Sequence, residues 1–291
     1  MSAEDRRVRL LVFGDSWAMG ERVDTWPELI AARSSGRTVN CAVGHSTSAS
    51  LSGQWQEALF HLDEAGGLHE DALAIVHTGG NDLYFANPLS LLTLVASGAA
   101  IRLGCYRNYA TMSPLLQHIA GNIAALVCSA YKRGVQRFII AGVPLTTAMP
   151  MVRFSAAKLG VPGCLAMASS VLGLASAAIL ASIRGIYEQL ERERSAPMPL
   201  ALVVDETRLI EQALSHSDDD AQHHFWDDAT HPSQAMHAVL ADEVLALARA
   251  ELHDSLDSSI AEANSSSKGG ATETTHILHH RTPTQHEAMQ S

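Results

Sequence analysis

Short apolar runs along this chain stop at small polar turns, and longer stretches with helical spacing separate them. The run Leu10-Leu11-Val12-Phe13 breaks off at Gly14-Asp15-Ser16. An apolar run of this length, bounded by a turn signal, predicts a buried strand. The same pattern predicts a second strand over Arg37 to Val43, ending at the polar turn Gly44-His45-Ser46-Thr47-Ser48. A third, Ala72 to His77, ends at Thr78-Gly79-Gly80-Asn81-Asp82. A fourth runs from Arg137 to Ala141, closed by Gly142-Val143-Pro144, and a fifth from Leu200 to Val204, ending at Asp205.

Between them, helical spacing covers Trp26 to Ala32, with Pro27 in the first turn. It recurs over Leu51 to Leu62, Ser113 to Arg133 with Gly134 as C-cap, Leu165 to Arg194, and Ser233 to Leu252. Strands alternating with helices predict a parallel sheet covered on both faces, a three-layer α/β/α sandwich. In such sheets ligands sit at the carboxyl edge, which is where Ser16 falls. The loops over 83–110 and 144–165 are expected to shape the pocket.

Two apolar segments qualify the picture. Cys164 to Ile183 carries no charge over a length that could span a membrane. It lies between two predicted strands of one sheet and is rich in Ser, Ala and Gly, so a helix packed on that sheet is the expectation, and no membrane insertion. Leu83 to Ile101 reads the same way, interrupted by Pro88. Residues 1–253 are thus read as one domain. Residues 254–291, dominated by Ser, Thr, Gly, Glu and His, cannot bury enough surface to offset chain entropy and read as a disordered polar tail. Its His276, His279 and His280 fit a solvated tail better than a metal site.

The net charge of -11 argues against nucleic acid as a partner. Cys41, Cys105, Cys128 and Cys164 form no C-x-x-C pair, which disfavours a zinc site and fits free thiols in a reducing compartment. No apolar stretch with a small-residue cleavage site precedes Ser16, so a cytoplasmic location is expected.

Four blocks carry the candidate chemistry: Gly14-Asp15-Ser16, Gly44, Gly79-Gly80-Asn81-Asp82, and Asp228-Ala229-Thr230-His231-Pro232. In this order, from Val8 to Leu252, they resemble the SGNH hydrolases, also called the GDSL esterase and lipase family. The resemblance implies a serine hydrolase that cleaves an ester of a small or medium acyl group through an acyl-serine intermediate, without metal or organic cofactor. It implies Ser16 as nucleophile, His231 as base and Asp228 as the acid that orients it. It further implies an oxyanion hole made by the N–H groups of Ser16 and Gly44 and the amide of Asn81. The chemistry needs these types: a hydroxyl is a weak nucleophile without a base, the base needs its tautomer fixed, and the developing oxyanion needs aimed donors. One departure stands out. Many members place the second-block glycine five residues after an asparagine like Asn40, where this chain has His45, so the second donor is the N–H of either Gly44 or His45.

Blander readings attach to the same residues. Ser16 can be a plain turn serine, His231 a residue flanking a helix, and Asn81 a turn former. Asp15 and Asp82 read as local backbone organisers, His77 and Asp205 as strand ends without a role, and Asp227 as a spare acid. Two rivals to the hydrolase remain: an acyltransferase with the same nucleophile, and a catalytically silent binding module of the same fold.

Overall fold

The computed structural model describes residues 7–20, 23–34, 36–84, 114–141, 149–160, 200–215, 225–228 and 230–251. The expected helices at 165–194 and 164–183, most of the segment 83–101 and the tail 254–291 lie outside them.

The described strands are β1 (Val8–Gly14), β2 (Arg37–Asn40), β3 (Leu68–His77), β4 (Arg137–Ala141) and β5 (Leu200–Val204). They form one five-stranded sheet in the order β2-β1-β3-β4-β5. Every pairing is parallel, with Val12 opposite Ile75, Ile75 opposite Ile139 and Ile139 opposite Leu202. The helices are α1 (Ser16–Met19), α2 (Trp26–Arg33), α3 (Leu51–Glu64), α4 (Gly80–Tyr84), α5 (Pro114–Arg133), α6 (Pro150–Leu159), α7 (Glu206–Ser215) and α8 (Gln234–Glu251).

Side chains of a strand alternate between faces, and here the alternation divides the core in two. Leu11, Phe13, Ala74, Val76, Phe138 and Ile140 pack with Trp55 and Leu62 of α3 and Ile119 and Ile123 of α5. Leu10, Val12, Leu73, Ile75, Ile139 and Leu202 face the other way, onto Trp26 and Ile30 of α2, Ile210 of α7 and Leu240 and Val244 of α8. Both faces of the central strands are thus covered, as the near-continuous apolar runs require, and the layers are α/β/α.

Several elements differ from the sequence reading: β2 stops at Asn40, β3 starts at Leu68, α1 was not read, and two further helices stand out. Residues 150–159, assigned above to a pocket loop, form α6, started by Pro150 and stopped by Gly160 in the left-handed conformation. Glu206–Ser215, which followed the fifth strand without an assignment, forms α7; the Asp205 carboxylate accepts the N–H of Arg208 at its start. Cys41 and Cys128 are free thiols, and burial pushes the Cys41 thiol up to about 12. Among the described residues no helix is long and apolar enough to cross a membrane.

Candidate active site

Because the strands are parallel, the carboxyl ends of β1, β2 and β3 come together at one edge, with the segment before α8 beside them. At the end of β1, Gly14 adopts φ 153°, and a Cβ there would lie 2.0 Å from the carbonyl oxygen of His77. No other residue fits. Buried Gln54 of α3 holds Gly14 at both ends: Oε1 accepts its N–H at 2.8 Å and Nε2 donates to its carbonyl at 2.8 Å. The same carbonyl accepts the Val43 N–H at 3.0 Å and the Ser46 hydroxyl at 2.9 Å. Asp15 then caps α1 by accepting the N–H of Trp17 at 3.1 Å, and Ser16 is the first residue of that helix.

The segment before α8 is a small closed loop. Trp226 and Pro232 form an antiparallel bridge, and Asp227 N–H donates to the carbonyl of His231 at 2.9 Å. Inside it, Asp228 Oδ1 accepts the N–H groups of Thr230 at 2.6 Å and His231 at 2.7 Å. Its Oδ2 lies 2.8 Å from His231 Nδ1. Burial would push the Asp228 carboxyl up, but the hydrogen bonds from Thr230 and His231 outweigh it and bring it to about 2. A carboxylate at Nδ1 fixes the proton there and leaves Nε2 as the acceptor. His231 Nε2 faces Ser16 Oγ at 2.9 Å.

The structure therefore brings Ser16, His231 and Asp228 into one hydrogen-bonded chain. Such a chain can take the proton from the hydroxyl as it attacks a carbonyl. Asp227, the spare acid, is exposed and its side chain is not the one at His231.

The candidate oxyanion donors are partly engaged elsewhere. Asn81 Nδ2 donates to the Ser46 carbonyl at 2.8 Å; an amide nitrogen carries two hydrogens, so one remains. Gly44 N–H points at the Met19 sulfur, 2.8 Å away. His45 has φ 60°, the non-glycine residue with positive φ among the described residues, in the region that favours glycine. Asn40 ties this turn to α1, with Nδ2 donating to the Ala18 carbonyl at 2.9 Å.

Asp82 accepts both the N–H and the hydroxyl of Ser48 at 2.7 Å, the organising role expected of it. His77 does more than end β3: it is buried against two carboxylates, Glu206 and Asp15. Gln54 and Glu206 were missed by the sequence reading. Gln54 had a signal, since Leu51, Gln54, Trp55 and Ala58 share one helical face and only Gln54 is polar. Among the described residues no group of His, Cys, Asp or Glu is arranged to hold a metal ion.

No family model matches the sequence, and no curated protein matches it. Solved structures do. A catalytic mutant of an acetylxylan esterase from Geobacillus stearothermophilus is similar with a TM-score of 0.50 at 15% identity, over 83% of this chain and 93% of that one. A member of the lipolytic G-D-S-L family from Veillonella parvula gives 0.44 at 12% identity, over 82% and 96% of the two chains. A psychrotrophic esterase from Pseudoalteromonas sp. gives 0.43 at 13%, over 85% and 100%. With its all-parallel sheet and helices on both faces, the chain has the three-layer α/β/α fold of the SGNH hydrolases.

Proposed function

We propose that this protein is a serine hydrolase that cleaves a carboxylic ester through an acyl-Ser16 intermediate. The observation that carries the reading is the unbroken chain from Ser16 Oγ through His231 to Asp228, at 2.9 and 2.8 Å. Ser16 attacks the ester carbonyl while His231 Nε2 accepts its proton. His231 then gives that proton to the leaving alkoxide. Water, deprotonated by the same nitrogen, releases the acid and restores the hydroxyl. Asp228 keeps the tautomer and stabilises the imidazolium. The carbonyl oxygen, negative at the tetrahedral stage, is met by the N–H of Ser16, the remaining amide hydrogen of Asn81, and the N–H of Gly44 or His45.

The acetylxylan esterase likeness makes short acyl esters the first substrates to try. The test is labelling by a fluorophosphonate, which reacts with an activated serine, beside a panel of p-nitrophenyl esters of increasing chain length. Labelling and turnover by the intact chain, both absent in Ser16→Ala, are the expected results. No labelling of a folded protein would overturn the reading and favour the silent binding module. Ester formation with an added alcohol in preference to hydrolysis would favour the acyltransferase.

A further inference from the structure

Beneath Ser16 lies a group of ionisable side chains that the proposed chemistry does not use. His77, Glu206 and Asp15 are all buried, at 2%, 1% and 3% exposure. His77 Nε2 is 2.7 Å from Glu206 Oε2, the length of a charge-assisted hydrogen bond. His77 Nδ1 faces Asp15 Oδ1 at 3.5 Å, an ion-pair contact without a hydrogen bond. The backbone of the same histidine accepts the N–H of Asp15 at 3.2 Å. His77 thus meets Asp15 at both its amide and its carboxylate, and Asp15 is the residue before the nucleophile.

Resting on the reading of Ser16 as nucleophile, we infer that His77 is a positioning residue: anchored by Glu206, it grips Asp15 at two points and so fixes the turn that presents the Ser16 hydroxyl to His231.

The charges make the grip cohesive. Two buried carboxylates need a cation, because an unpaired buried charge is costly. Burial would push His77 down, but the charge of Glu206, with Asp15, outweighs it and raises it to about 10. The indole of Trp17 stacks on the imidazole with centroids 5.7 Å apart and planes 10° apart, and Trp26 of α2 meets it edge-on. Trp17 belongs to α1, so the ring contact and the Asp15 contact act on the same short helix. The groups facing His77 are Asp15 before α1, Glu206 at the start of α7 and His237 of α8. Burial, and then the charges of His77 and His231, bring His237 down to about 3, so it adds no second cation. Glu28 of α2 is turned to Thr25.

The test uses the full chain. In the wild type, the Ser16 and Trp17 amide resonances should follow the His77 imidazole titration, with a midpoint near 10. In Glu206→Gln that midpoint should fall by about two or more pH units. With p-nitrophenyl acetate, Glu206→Gln should lose on the order of 100-fold in kcat, the scale of a small misplacement of reacting groups, with KM little changed. Glu206→Gln can fail to fold, so the double variant His77→Gln/Glu206→Gln, which removes a buried charge of each sign, is made beside it. It leaves Asp15 as a buried carboxylate that caps α1 without a cation beside it, and should not regain kcat. Amide resonances that ignore the imidazole, or a folded double variant with wild-type kcat, would overturn the inference. If the wild type itself neither turns over ester nor labels, the hydrolase reading fails, while the resonances still decide whether His77 governs the turn.

Discussion

The sulfur of Met19 lies 2.8 Å from the backbone nitrogen of Gly44 and takes its N–H. A thioether is a weak acceptor and an oxyanion a strong one, so a Gly44 N–H acting as second donor would leave the sulfur as the carbonyl oxygen becomes negative. Met19→Leu keeps the bulk and removes the acceptor. If Gly44 is the second donor, kcat/KM should rise by about 2- to 10-fold, the equivalent of one ordinary hydrogen bond. An unchanged value would assign the donor to His45. Steady-state kinetics on a short-chain ester distinguish the two.

Ser16→Ala should abolish turnover and leave the melting temperature close to that of the wild type. The Ser16 side chain accounts for one hydrogen bond, to His231, and Asp15 rather than Ser16 caps α1. Paired kinetics and thermal melts check both halves. Residual turnover at the wild-type rate would exclude Ser16 as nucleophile.

Asp228→Asn should lower kcat on the order of ten thousand-fold, because an amide no longer fixes the proton on Nδ1. The Asn side-chain oxygen can still accept the N–H groups of Thr230 and His231, so the loop should persist. The carboxyl sits at about 2. Hence any loss of activity on acidification above about pH 3 arises elsewhere than at Asp228. A mutant within tenfold of the wild type would point to another acid.

Stability should peak near neutral pH and fall on both sides, for opposite reasons. His77 is raised from 6.5 to about 10, so the folded state holds more protons between those values. Its contribution is complete below 6.5 and is lost as pH rises through about 10. His237 is lowered from 6.5 to about 3, so its contribution is present above 6.5 and is lost as pH falls toward 3. Melting temperature against pH measures both limbs. His237→Gln should flatten the acid limb, and Glu206→Gln the alkaline one.

Two glycines should respond in opposite directions. Gly14→Ala drives a Cβ to 2.0 Å from a backbone oxygen at φ 153°. It should cost about 4 kcal/mol or more, at the far end of single substitutions, or prevent folding. Gly53, on the exposed face of α3, has nothing within 4 Å of an added Cβ. Gly53→Ala should stabilise by about 0.5–1 kcal/mol through helix propensity. Denaturant titrations would show both.

β1, β4 and β5 were legible because each is a short apolar run ended by Gly or Asp. β4 and β5 fall on the predicted residues. Leu68 to Asp71, which extend β3 at its start, were less visible, since His69, Glu70 and Asp71 break the apolar run. α6 and α7 had their caps in plain view, Pro150 with Gly160 and Asp205, but both were passed over as loop or left unassigned. Ser16, Asp228 and His231 could be named from their blocks, and the structure brings them within hydrogen-bonding distance. The pairing of His77 with Glu206 could not be read. The two residues are 129 positions apart, and only the strand order places the end of β3 within reach of the helix that follows β5. The φ of His45 was equally hidden, because a positive φ at a non-glycine residue leaves no mark in composition.

The bridge between Trp226 and Pro232 gives His231 and Asp228 a common origin in the chain. Asp228 and His231 are three residues apart and locked by their own loop, so their union costs little closure entropy. Ser16 and His231 are 215 residues apart, and their contact exists only when α8 has docked on α2 and β5. The site is therefore assembled from two finished halves, the Ser16 turn and the His231 loop, that meet in one long-range closure. Reactivity at Ser16 should be among the last properties this chain acquires as it folds, and among the first it surrenders when α8 lifts away.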